Sequence, residues 1–201
     1  MRCSRRSWLL KLTALGILTG LPISAALAQT DYPNRPLRLV VGFAPGGSND
    51  IVARLLAEKL NKSLGQPAIV ENKPGGGGAV AAAYVKSQPA DGYTLLVGAS
   101  GAMVVGPAIG APASYETLAD FDPVSTLVTF PLVFIVNAES PHRALKDLVA
   151  WSKANPSASN YGSASPTFTL AAELLKLRTG ASMQRVSYRG SNDAVVAVLG
   201  N

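Results

Sequence analysis

A short apolar strand that runs into a glycine-rich turn and then into a helix recurs along this sequence, and that rhythm limits the folds open to it. Leu37-Arg38-Leu39-Val40-Val41 is a run of branched residues and reads as a buried strand. Phe43-Ala44-Pro45-Gly46-Gly47-Ser48-Asn49-Asp50 follows as a tight turn. Ser48 or Asn49 is placed to cap a helix, and Asp50 suits the positive end of its dipole. Ile51, Leu55, Leu56 and Leu60 then recur at helical spacing until Gly65 ends the pattern. The sequence next predicts a strand over Ala68 to Val70, a loop over Pro74 to Gly78, and an Ala-rich helix from Ala79 to Lys86. Asp91-Gly92 is a turn, Tyr93 to Val97 a strand, and Gly98-Ala99-Ser100-Gly101 opens a short helical segment that Pro107 ends. Strands that alternate with helices need crossover connections, so the expected fold class is α/β with mostly parallel sheets.

Gly, Pro and Ala dominate between about Pro107 and Phe121, which marks a boundary between spans 29–110 and 111–201. In the second span, Val124 to Thr129 leads to Leu132 to Val136, which reads as a second strong strand. A helix is expected over Ala144 to Ala154, and Asn160 to Ser163 is a short strand that leaves into a polar loop. Thr169 to Arg178 is a helix stopped by Gly180, Met183 to Tyr188 a strand, and Gly190-Ser191-Asn192-Asp193 the start of a last helix that runs to Asn201.

The formal net charge of +6 is misleading as a guide to partners. Arg2, Arg5, Arg6 and Lys11 lie in the first 28 residues, where there is no acid, and the remainder carries only +2. Its Lys and Arg are scattered, which argues against nucleic acid as a partner. The skew belongs to a basic segment, an apolar run from Leu12 to Leu27, and Ala26-Leu27-Ala28, the pattern of a signal peptide over residues 1–28. Cleavage after Ala28 and a periplasmic location are the expectation. The apolar run is short and contains Pro22, so no stable membrane insertion is expected after cleavage. Ser4-Arg5-Arg6-Ser7-Trp8-Leu9 has the form of a twin-arginine signal as well as that of an ordinary basic leader. Loss of Cys3 with the leader would leave no cysteine, and with it no disulfide, thiolate nucleophile or cysteine-ligated metal.

Three strand-to-helix loops carry the chemistry: Ala44 to Asp50, Gly98 to Gly101, and Gly162-Ser163-Ala164-Ser165-Pro166-Thr167. Open parallel sheets bind ligands at the carboxyl ends of their strands. Each loop offers backbone N–H groups, small side chains and hydroxyls, which at a helix N-terminus attract an anion without a full positive charge. The plainer reading of any one loop is a capped turn; three on one rim favour binding. Pro74 to Gly78 lacks the Lys-Ser/Thr end of a phosphate-binding loop and reads as a turn. The enzyme alternative is an α/β serine hydrolase that uses Ser100, in Gly98-Ala99-Ser100-Gly101-Ala102, with His142. Ala102 stands where the elbow's second glycine belongs, and His142 sits just ahead of a helix. One histidine and scattered carboxylates form no metal site, and nothing calls for a cofactor.

Tyr32-Pro33-Asn34-Arg35-Pro36-Leu37-Arg38-Leu39-Val40-Val41 with Phe43-Ala44-Pro45-Gly46-Gly47-Ser48 resembles the opening of the tripartite tricarboxylate transporter substrate-binding proteins, also called Bug proteins. Leu64-Gly65-Gln66-Pro67, Val70-Glu71-Asn72-Lys73-Pro74-Gly75, Asp91-Gly92-Tyr93-Thr94-Leu95-Leu96, Asn160-Tyr161, Ala172-Glu173-Leu174 and Tyr188-Arg189-Gly190-Ser191 continue the resemblance in order. It implies a two-lobed fold like the type 2 periplasmic binding proteins. A small organic carboxylate would sit between the lobes, and a membrane permease of the tripartite tricarboxylate type would be the partner. Carried onto this chain, the ligand-binding residues are Phe43, Ala44, Gly46, Gly47, Ser48, Asn49 and Asp50 of the first loop. Ser100 and Gly101 follow from the wall of the first lobe, and Ser163, Ala164, Ser165, Thr167 and Thr169 from the second. The chain departs from the family pattern at Phe168 and Thr169, where a small residue and a histidine are usual, and at Ala79 and Gly106, where asparagine is common. The second-lobe loop also looks shortened. Relatives continue past Leu199-Gly200, so the resemblance implies a second lobe, and a return to the first lobe, that are incomplete here, in a truncated and poorly binding form.

Overall fold

The computed structural model describes residues 32–200. The leader and its cleavage point at Ala28 lie outside the described residues. Two parallel sheets organise the chain from Arg35 onward. The first has the order β2-β1-β3, from β1 (Leu37–Val41), β2 (Ala68–Asn72) and β3 (Thr94–Val97). Register pairs Leu39 with Val70 on one side and with Leu95 on the other. The second sheet pairs β4 (Asn160–Ser163) with β5 (Gln184–Ser187), also parallel. The expected α/β class with parallel sheets is the architecture found.

The first sheet holds the core because β1 buries apolar side chains on both faces. Leu37, Leu39 and Val41 pack with Phe43, and with Ala53 and Ala57 of α1 (Ser48–Leu64), on one side. Val40 is fully buried on the other side. Burying each such side chain contributes roughly 1.5–3 kcal/mol. Gly42, two residues on, shows why α2 (Ala79–Lys86) covers that face: a Cβ there would stand 2.6 Å from the Gly78 Cα and 3.3 Å from the Ala81 Cβ. Only hydrogen fits at this crossing.

α1 starts differently from the sequence expectation. Gly47, in extended conformation, is the N-cap, and no side chain of Ser48 or Asn49 caps the helix. Asp50, the third helical residue, reaches back instead, and its Oδ2 accepts the Gly46 N–H at 2.9 Å. An acid at that position satisfies a turn donor as a capping box does, which removes the need for a hydroxyl cap. Gly65 ends α1 in the left-handed conformation at φ 67°, as read from the sequence.

After β3 the chain makes a π-helical turn (Gly101–Val105) and two short helices, α3 (Gly106–Ala108) and α4 (Thr117–Asp120). α5 (Leu145–Ala154), α6 (Pro166–Thr179) and α7 (Ser191–Gly200) follow. α6 begins three residues earlier than expected because Pro166 takes the first helical position, where its fixed φ suits the helix and its missing N–H costs nothing. The strand expected over Leu132 to Val136 does not form. Residues 122–136 have the composition of strands, but among the described residues they pair with no ladder, and Leu132, Val133, Phe134, Ile135 and Val136 are exposed. Hydrophobicity marks a segment as strand material, but a strand exists only where an edge accepts its backbone.

Candidate functional site

The loops at the carboxyl ends of the two sheets meet. Ser100, after β3, lies with its Oγ 3.1 Å from the Thr167 Oγ1 in the first turn of α6. The Ala44 N–H, after β1, donates to the Arg189 carbonyl after β5 at 3.3 Å. A cavity of about 470 Å³ lies beside these contacts. The first turn of α1 lines it through Ser48 and Asn49, α6 through Thr167 and Phe168, and α7 through Ser191. Gly98, Ser100 and Gly101 supply one wall, and Ser125 to Phe130 another. Neither Gly47 nor Ser165, the N-caps of α1 and α6, makes a side-chain capping bond. The first N–H groups of a helix have no partner within it, so these ends direct donors and positive dipole toward the cavity.

Among the described residues, no acidic or basic side chain lines this cavity. Asp50 is the nearest acid in sequence, 2% exposed and fully occupied. Its Oδ2 accepts from the Gly46 N–H and from Arg54 Nε, each at 2.9 Å. Its Oδ1 accepts from Arg54 at 3.0 Å and from Asn72 Nδ2 at 2.9 Å. The Arg54 hydrogen bond does most to hold the carboxyl at a pKa of about 2, against the opposing effect of burial. The pair cancels its own charge, so Asp50 does not repel an anion in the cavity.

The sequence-derived residues divide accordingly. Phe43, Gly47, Ser48, Asn49, Ser100, Gly101, Ser165 and Thr167 line the cavity. Ala44, Gly46 and Asp50 do not; they shape the first loop from behind. Ser163, Ala164 and Thr169 also lie off its lining. The Ser163 Oγ is spent on the Ser165 carbonyl at 3.0 Å and on the Thr169 Oγ1 at 2.9 Å. Sequence reasoning missed Ser125, Thr126, Thr129 and Ser191 as lining hydroxyls. The Ser-Thr content of 125–129 was the available signal, passed over because the segment was taken only as the lead-in to the strand expected over Leu132 to Val136.

The hydrolase pair is not assembled. The hydroxyl partner of Ser100 is Thr167, and the His142 ring packs against Trp151 with centroids 5.2 Å apart. No group of three or more His, Cys, Asp or Glu able to hold a metal occurs among the described residues. No helix among them is long and apolar enough to cross a membrane.

Residues 52–201 match the family described as the tripartite tricarboxylate transporter family receptor, TctC. The chain belongs to this family. Among TctC relatives it is similar to protein BugT of Bordetella pertussis strain Tohama I, at 40% identity over 181 residues, 89% of this chain and 56% of that protein. It is 39% identical over 190 residues to the UPF0065 protein in the gbd 5' region of Cupriavidus necator, covering 90% of this chain and 56% of that one. Among solved TctC-like structures, Rpa4515 of R. palustris with adipate aligns at a TM-score of 0.79 and 33% identity, over 84% of this chain and 57% of that one. MatC of Rhodopseudomonas palustris with bound malate aligns at 0.78 and 30%, over 83% and 57%. The chain thus spans about half the length of the curated relatives it matches.

Proposed function

We propose that this TctC-family chain is a solute receptor that holds a small organic carboxylate in the neutral cavity and does no chemistry on it. The observation that carries the reading is the convergence of the α1, α6 and α7 N-termini on a cavity with hydroxyl groups and, among the described residues, no charged side chain. Such a site stabilises a carboxylate by oriented dipoles and N–H donors. It has no base within reach of Ser100, which hydrolysis would need. The carboxylates in the adipate and malate complexes of similar proteins belong to the same chemical class. In this reading the first sheet and its helices form a lobe over residues 29–110, the second sheet a lobe over 111–201, and the ligand lies between them. Export with cleavage after Ala28 would deliver the chain to the periplasm, and a tripartite tricarboxylate permease would receive the cargo.

A thermal-shift panel of carboxylates that includes malate and adipate tests this. A ligand at 100 times its Kd stabilises the native state by about 2.7 kcal/mol and raises the melting temperature. The reading fails if no acid in the panel moves the melt, or if Gly47→Val leaves the shift intact.

A further inference from the structure

We infer that a second cavity, on the other side of Ser165, is a distinct site for a small oxyanion, a phosphate or a carboxylate group. This cavity measures about 420 Å³ and shares only Ser165 with the first. Its character is opposite: Arg185 and Arg189 both line it, and among the described residues no carboxylate does. Arg185 makes one long contact, from Nη1 to the Thr169 Oγ1 at 3.4 Å. The Arg189 side chain has no hydrogen-bond or ion-pair partner among the described residues. Glu173 acts on Arg185 from outside the lining, where it is itself engaged by Tyr161 and Lys176, and Arg189 faces no acid at all among the described residues. Two guanidinium groups in one concavity are a planar, multi-donor arrangement suited to an oxyanion. Ser187 and Tyr188 add hydroxyls between them. Gly77 also lines the cavity and packs so closely on the start of α6 that a Cβ there would stand 2.6 Å from the Pro166 Cδ, so no side chain fits at this contact.

Ser163, Ala164 and Ser165 line this cavity too, but the two arginines carry the inference. For a free anion it stands apart from the reading of the first cavity; for a bridging diacid it rests on that reading. Two sources of the anion are distinguishable. One is a free inorganic anion. The other is the far carboxylate of a diacid whose near end lies past Ser165 in the first cavity.

The test titrates the purified chain with inorganic phosphate and, separately, with malate by calorimetry, at ionic strength held constant with chloride. Each titration is repeated on the Arg185→Gln/Arg189→Gln double variant and on Gly47→Val. Both arginines are exposed, so the double variant is expected to keep the parent's circular-dichroism melt. Arg185→Lys/Arg189→Lys, which retains the charge, serves as a second variant. A free-anion site predicts that phosphate binding weakens at least tenfold in the double Gln variant, partly recovers in the double Lys variant, and is unchanged in Gly47→Val. A bridging diacid predicts that malate weakens in both the double Gln variant and Gly47→Val, and that phosphate competes with it. The inference is overturned if the double Gln variant binds both probes within twofold of the parent, or if the parent binds neither. Malate binding unaffected by Gly47→Val would remove the first-cavity reading and leave the phosphate result standing.

Discussion

Asp50 and Arg54 are joined by two hydrogen bonds, Nε to Oδ2 at 2.9 Å and Nη2 to Oδ1 at 3.0 Å, across one turn of α1. The carboxylate also holds the Gly46 N–H and the Asn72 side chain, so one buried group fixes the end of β2, the loop after β1 and the start of α1. Asp50→Ala would leave these donors without their acceptor. A loss of about 2–4 kcal/mol is expected, read as a lower urea midpoint at an unchanged slope.

The same group sets a pH response. The folded pKa of Asp50 lies near 2, below its ordinary 3.8. A depressed carboxylate pKa contributes stability that is complete above the unfolded value and is lost as the pH falls through the folded one. Stability should therefore decline as the pH falls from about 5 to 2, with on the order of 1–2 kcal/mol due to Asp50 once screening around the exposed Arg54 is allowed for. Urea melts of parent and Asp50→Asn across that range check it; the variant's curve should be flatter by that amount.

Gly46 and Gly47 should separate folding from capture. Gly46 has φ 83°, a region that side chains disfavour. Gly46→Val is expected to cost about 1–3 kcal/mol of stability through backbone strain. Gly47 has φ −79° and ψ 169°, open to any residue, and a Cβ there meets the Ser191 Oγ at an ordinary 3.4 Å. Gly47→Val should melt within about 1 kcal/mol of the parent while its branched side chain fills the mouth between α1 and α7, with ligand affinity down at least tenfold. Paired melting and binding measurements on the two variants decide it.

Ser100→Ala removes the hydroxyl contact to Thr167 that ties the first-sheet loops to α6. The contact is exposed, so a loss of about 0.5–1 kcal/mol is expected in a denaturant melt. Carboxylate affinity should fall several-fold. Background ester hydrolysis should not change, because no imidazole stands beside the hydroxyl.

The first half of the fold was legible because its sequence is locally consistent. Leu37–Val41 has only one plausible state, and Gly65 and Gly180 end their helices in the left-handed conformation for which glycine is suited. Less of the site was legible. Reading Ser48 or Asn49 as a cap followed a real preference, but it missed that Asp50 already satisfies the turn from three residues into the helix. Leu132 to Val136 carries a strong strand signal and forms no strand, because pairing depends on a neighbour that no local pattern encodes. The same non-local dependence hid Ser125, Thr126 and Ser191, which reach the cavity only through the way the sheets' loops meet.

Among the described residues, the lining of the first cavity has no acidic, basic or imidazole side chain. A receptor built this way has no titration curve of its own to impose on its guest. The hold on an acid would follow the acid's own ionisation and flatten once the guest is fully charged. Added salt would weaken the hold only through screening of the guest's charge against the helix dipoles, a gentler effect than screening of a full ion pair. Such a cavity would keep one affinity across whatever neutral-to-alkaline medium surrounds it.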